Sequence, residues 1–115
     1  MSYYLFQWIY KDPQLRAMVD KTQDRAAELS KAVEGFGGRV LQFFFAFGEA
    51  DGIAVVEFSD NEACLACSLT LNAAGTNASF RTTVLVSPQE AAGAMRRAHM
   101  VSTGYRPPVG YVSHG

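Results

Sequence analysis

Two cysteines three residues apart, Cys64-Leu65-Ala66-Cys67, are the first candidates for chemistry, because redox dithiols and zinc sites both use this spacing. A redox pair exposes its first cysteine at a helix N-terminus, where the dipole lowers the thiol pKa. Cys64 falls about a turn inside a run of small apolar residues and is followed by leucine and alanine. Zinc needs two further ligands, and the chain has no third cysteine. The pair therefore reads as buried structural thiols, and no metal or cofactor is expected.

Glu57 is the second candidate, the one charge in an otherwise apolar run. Strand alternation aligns it with Asp51, Ile53 and Val55. If the opening strand lies beside this one, Gln7 shares the face, and Arg81 and Thr83 join it from a later strand, with Gln42 as a second amide. A charge in so apolar a strand is expensive unless paired, and Arg81 is the natural partner of Glu57, leaving Gln7 to meet a carbonyl or hydroxyl. The ligand site read from these residues has Gln7, Glu57 and Arg81 as polar groups and Tyr4, Trp8, Phe43 and Phe45 as walls around a mostly apolar organic molecule. The same cluster also fits a subunit interface in which a few polar groups fix the register.

The other candidates read as structural. Asp51 ends a hairpin by bonding its own backbone, as Asp does at such turns. His99 ends the last helix, where a cation is favoured, and His114 lies in the tail. Gly35-Phe36-Gly37-Gly38 follows a helix and enters a strand, the reverse of the context a nucleotide fingerprint requires.

The elements that must position these residues are organised around a hairpin over Gly38 to Phe58. Two runs of aromatic and β-branched residues flank Gly48-Glu49-Ala50-Asp51-Gly52, where the two glycines and Asp51 are expected to supply positive or strained φ. Leu41, Phe43, Phe45 and Phe47 share one parity and Val40, Phe44 and Ala46 the other, so the first of these strands needs cover on both faces. Helices of the same chain can cover one. A second copy is the economical cover for the other, so a dimer or higher homo-oligomer is expected.

Tyr3 to Tyr10 is the opening strand. Asp12 as cap and Pro13 at the first helical position begin a helical region whose Leu15, Val19, Thr22, Ala26, Leu29, Val33 and Phe36 share a face. A break is expected near Lys21 to Asp24, with Thr22 as cap of a second segment, and the glycines after Phe36 stop the helix. Ser59 and Asp60 cap a helix from Ala63 to about Ala74, apolar nearly all round and so expected to pack on more than one side. Ala78 to Val86 is the last strand, and Ser87-Pro88-Gln89-Glu90 opens a helix to about His99. The order is that of a ferredoxin-like βαββαβ sandwich, α+β, with a four-stranded antiparallel sheet. One domain spans 1–99, and 100–115 is an extended tail, ordered where it docks.

At this point the chain resembles the GYD-domain family of the dimeric α/β-barrel group. The likeness runs through the opening aromatic strand, Asp24-Arg25, Gly37-Gly38-Arg39, Gly48-Glu49-Ala50-Asp51, Val55-Val56-Glu57 and Arg81-Thr82-Thr83. Ala50 holds the place of the tyrosine in the family's Gly-Tyr-Asp signature, so any role resting on that phenol is absent here. The resemblance implies the fold and no particular reaction; relatives by fold include cofactor-independent monooxygenases, haem proteins and plain binding modules.

Composition narrows the classes further. A chain of 115 residues, 49% hydrophobic with formal net charge −1, is one folded domain. Ten Lys and Arg scattered among eleven acids make no basic stripe, which points away from nucleic acid. No apolar run approaches the ~20 residues that span a bilayer, and the first residues lack the basic flank and cleavage site of a signal peptide, so a cytoplasmic protein with no membrane partner is expected. Two functions follow: a binding or structural module whose sheet face makes the oligomer, or a cofactor-independent, monooxygenase- or isomerase-like enzyme for a small aromatic or polyketide-like molecule.

Overall fold

A computed structural model describes residues 1–109 of the chain. Its elements are β1 (Ser2–Tyr10), α1 (Asp12–Asp20), α2 (Arg25–Gly35), β2 (Arg39–Phe45), β3 (Gly52–Phe58), α3 (Asn61–Ala73), β4 (Asn77–Leu85) and α4 (Pro88–Met100). The strands lie in the order β2-β3-β1-β4, every neighbouring pair antiparallel. This is the expected ferredoxin-like α+β sheet, with β1 at its centre.

Alternation along β1 divides the molecule. Tyr4, Phe6, Trp8 and Tyr10 are buried and meet Ala54, Val56 and Phe58 of β3, Leu29 and Val33 of α2, and Cys64 and Cys67 of α3 in one core. Tyr3, Leu5, Gln7 and Ile9 have the opposite parity and lie on the other face, beside Ile53, Val55 and Glu57 across the β1–β3 ladder. Successive strand side chains point to opposite sides, so this face carries an apolar surface that α2 and α3 do not cover.

Local chemistry sets the boundaries. Asp24 caps α2, its carboxylate accepting the Ala27 N–H at 3.0 Å, so the expected break is present and Asp24, not Thr22, closes it. Lys11 occupies the N-cap position of α1 without a side-chain capping bond, and Asp12 is the first helical residue, one position from expectation. The face read across both helices does not survive the break: α1 buries no residue and Val19 is 86% exposed. Gly37 takes φ +77° at the end of α2, and the Gly38 N–H returns to the Val33 carbonyl at 3.0 Å. Asp60 caps α3 through the Ala63 N–H, and Ser87 caps α4 through that of Glu90.

Three further expectations are corrected. None of Gly48, Asp51 and Gly52 has a positive φ; Gly52 is required because a Cβ there would meet the Trp8 indole. The parity of β2 breaks at Leu41, where a bulge puts Val40 on the same face as Phe43. Helix α3 is covered on one side alone, with Leu65 and Leu69 exposed.

Helix α4 buries no residue, and residues 101–109 carry no helix or strand. The remainder of the expected tail, residues 110–115 with His114, lies outside the described residues.

Candidate functional site

The polar members of the site read from sequence do share a face. Gln7 pairs with Arg81 on β4 and with Ile53 on β3, Glu57 stands opposite Tyr3, and Gln42 stands opposite Val55. The aromatic members lie elsewhere. Tyr4 and Trp8 are in the core on the helix side, where the Trp8 ring meets Phe43 at 5.5 Å and Phe43 meets Phe45 at 5.5 Å. The sheet therefore separates Gln7, Glu57 and Arg81 from Tyr4, Trp8, Phe43 and Phe45, and the seven do not form one cavity. Trp8 is the exception among the aromatic members, since it also reaches the edge of the hollow that Gln7 and Arg81 border beside the hairpin turn.

The ion pair is also corrected. Glu57 is 8% exposed, and its Oε1 accepts from Arg39 Nε at 2.9 Å and Nη2 at 2.8 Å. Arg81 is opposite Gln7, four residues along β1 from Tyr3, a separation of about 13 Å. Arg39 is the direct cross-strand neighbour of Glu57, and distance decides the pairing.

Each face has its own hollow. On the open face, Gln7, Ile9, Glu49, Ala50, Ser79 and Arg81 border a space of about 250 Å³ beside the hairpin turn. On the helix side, a cleft of about 240 Å³ lies among Trp8, Phe43, Phe80, Arg25 and Asn77, reaching the end of α3. Trp8 borders both. Arg25, Asn77 and Phe80 escaped the sequence reading; the one signal for them was that Phe80 shares the parity of Thr82 and Val84 on β4.

The thiols are inert in this setting. Cys64 and Cys67 are buried and free, and burial pushes the Cys67 thiol up to about 11 and raises that of Cys64 as well. A nucleophilic or metal-binding cysteine needs the opposite shift. Among the described residues no group of three His, Cys, Asp or Glu is placed to hold a metal ion. Burial also raises the Tyr4 phenol, whose O–H donates to Asn61 Oδ1 at 2.6 Å. The Asp51 side chain does not bond its own turn: its carboxylate accepts the Tyr10 N–H, while its backbone carbonyl closes the hairpin by accepting the Ala46 N–H at 2.8 Å.

The fold, the turn at Gly48 to Gly52 and the strand positions meet in one observation, a match to the GYD domain family model over residues 4–95. The chain belongs to the GYD-domain family. No curated protein sequence matches it. Among solved structures, this GYD domain is similar to TTHA0845 from Thermus thermophilus, at 14% identity and TM-score 0.53, over 76% of this chain and 95% of that one. It is similar to FFRP-DM1 at 16% identity and TM-score 0.51, over 75% of this chain and 100% of that one. It is also similar to MtbAldR, at 13% identity and TM-score 0.54, over 75% of this chain and 53% of that one. At these identities the likeness is one of fold. No described helix of the GYD domain is long and apolar enough to cross a membrane.

Proposed function

We propose that this protein is a small homo-oligomeric binding or structural module in which the open sheet face forms the contact between copies. The observation that carries this reading is the uncovered apolar face of β1 and its neighbours, where Tyr3, Ile9 and Phe44 are 39%, 38% and 59% exposed. Four strands ~4.8 Å apart and seven residues of ~3.3 Å make a face of about 450 Å². A stable interface takes about 800 Å² from each partner, so the sheet supplies somewhat more than half. Helix α4 exposes Met95 and Met100, and Tyr105 beyond it is exposed as well; in this reading they add the rest.

A second copy suits this face because its chemistry is self-complementary: apolar centre, with the Arg39–Glu57 pair internally neutral at one side. Two free buried thiols with no disulfide fit a cytoplasmic protein. The candidate nucleophiles Cys64 and Cys67 are held as thiols, so neither supplies an activated group for catalysis. The ligand role of Gln7 and Arg81 belongs in this picture to the hollow by the hairpin turn, at the margin of the interface.

Light scattering and sedimentation of the native protein and of Val55→Asp test the proposal. The native chain is expected to be at least a dimer at micromolar concentration and the variant to shift to monomer while keeping its circular dichroism spectrum. A native protein that is monomeric at that concentration overturns it.

A further inference from the structure

The helix-side cleft has features that the sheet-face reading does not use. Its apolar side is aromatic: Trp8 lies stacked on Phe80 with 15° between ring planes and centroids 6.2 Å apart, and Phe43 is tilted against Trp8. Its volume of about 240 Å³ equals that of about eight liquid waters, room for one small ring with its substituents. Asn77 lines the cleft, and its Oδ1 is buried with no hydrogen-bond partner. Buried polar atoms are almost always bonded, so an unpaired acceptor on a cleft-lining side chain marks the place for an incoming donor, which a turn of the Asn77 amide toward the cleft would meet.

The charges beside the cleft are not equivalent. Glu28 is held by Lys31 at 2.7 Å, and that contact lowers its carboxyl pKa. Arg25 donates to the neutral Gln23 Oε1 at 3.2 Å and, among the described residues, pairs with no carboxylate. The charge left for a ligand is therefore positive, and a guanidinium is shaped to take a carboxylate through two parallel hydrogen bonds. A hollow of about 140 Å³ shares Tyr10, Arg25 and Thr76 with the cleft and contains Gln14, whose Oε1 is also buried without a partner.

We propose that this cleft binds a small planar aromatic carboxylate bearing a hydroxyl or ring N–H. Arg25 holds the carboxylate, Asn77 Oδ1 accepts from the donor, and Trp8, Phe43 and Phe80 contact the ring. The site is on the helix side, so it stands whether or not the open face pairs with a second copy.

Trp8 is the chain's single tryptophan and borders both hollows, so its fluorescence reports binding at either. The variants at Arg25, Asn77 and Ala74, which of the two line the helix-side cleft alone, assign the site. The probes are para-hydroxybenzoate, its neutral counterpart para-hydroxybenzamide, and benzoate, titrated into the full chain by fluorescence and calorimetry. Para-hydroxybenzoate is expected to give a saturable change at one site per chain and to bind about tenfold or more tighter than the benzamide, because a charged hydrogen bond is replaced by a neutral one. Arg25→Gln should erase the difference between those two, and Asn77→Ala the difference between para-hydroxybenzoate and benzoate. Arg25 is half-buried in the first turn of α2 and outside the core cluster, so its replacement leaves the core intact; Ala74→Phe, at the mouth of the cleft, should abolish binding of all three by filling the space. No saturable response to para-hydroxybenzoate, equal binding of acid and amide by the native chain, or unchanged affinity in Arg25→Gln overturns the proposal. The oligomeric state is measured separately, so its outcome does not enter.

Discussion

Asp51 joins the hairpin to β1 through Tyr10: its Oδ2 accepts the Tyr10 N–H at 2.9 Å, forty-one residues away in sequence. The Asp51 N–H in turn donates to the Trp8 carbonyl at 2.9 Å. The β1–β3 ladder ends at the Trp8–Gly52 pair, so the aspartate side chain supplies the next rung. Asp51→Ala is expected to cost about 1–2 kcal/mol in urea unfolding, as a lost hydrogen bond to a charged acceptor does. Amide exchange at Tyr10 should quicken selectively; unchanged protection there would show that the clamp does not hold in solution.

Gly52 and Gly48 belong to the same turn region and should respond oppositely to alanine. A Cβ on Gly52 would sit 2.3 Å from Cε2 and Cζ2 of Trp8, whereas one on Gly48 meets nothing within 4 Å. Gly52→Ala should destabilise by about 1–3 kcal/mol or more and shift the Trp8 emission, because the packed indole must move. Gly48→Ala should stay within about 0.5 kcal/mol of the native protein. Equal effects at the two positions would contradict the placement of Trp8.

The Arg39–Glu57 pair is asymmetric, since the carboxylate is buried and the guanidinium side chain is 68% exposed. Arg39→Met strands a charge away from water and is expected to cost on the order of 1–3 kcal/mol. Glu57→Gln leaves an arginine that water can solvate, and should cost less. Thermal midpoints of both variants check the order, and the reverse order would place the burial on the other partner.

The thiols give a pH dependence of known sign. Cys67 titrates at about 11 in the folded chain and at about 8.5 when unfolded, and Cys64 is shifted the same way. The unfolded chain thus sheds these protons first, so the stabilisation is complete below about pH 8 and declines as pH rises toward 11. Joint Cys64→Ala and Cys67→Ala replacement should lower the midpoint at about pH 7 and flatten its fall above about pH 9. A fall as steep as in the native protein would assign the titration elsewhere.

Periodicity and punctuation carried most of the fold into view. Tyr3 to Tyr10, the Asp60 and Ser87 caps and the stop at Gly37 are local signals, and local signals survive in the folded chain. The site was harder because one bulge decides it. With β2 and β3 paired without interruption from Phe45–Gly52 outward, Glu57 would face Val40, and Arg39 would face Phe58 toward the core. The extra residue at Leu41 slips the strand by one and brings Arg39 to Glu57. Nothing in the composition of Arg39-Val40-Leu41-Gln42 announces that slip. Asn77 and Arg25 were illegible for a different reason: they meet around Trp8 only through the packing of α2 against the sheet, a relation between distant segments.

The place of β1 in the sheet has a consequence for synthesis. The first strand of this domain to be made is a central one, and its second edge pairs with β4, Tyr3 opposite Leu85. Contacts so far apart in sequence form slowly, and until they form the aromatic strand presents an unpaired edge. A nascent chain that stops short of β4 can close the β1–β3 side and still be open on the other. Chains ended before Asn77 should therefore accumulate as aggregates, while those that reach Leu85 can seal the sheet even before α4 is made.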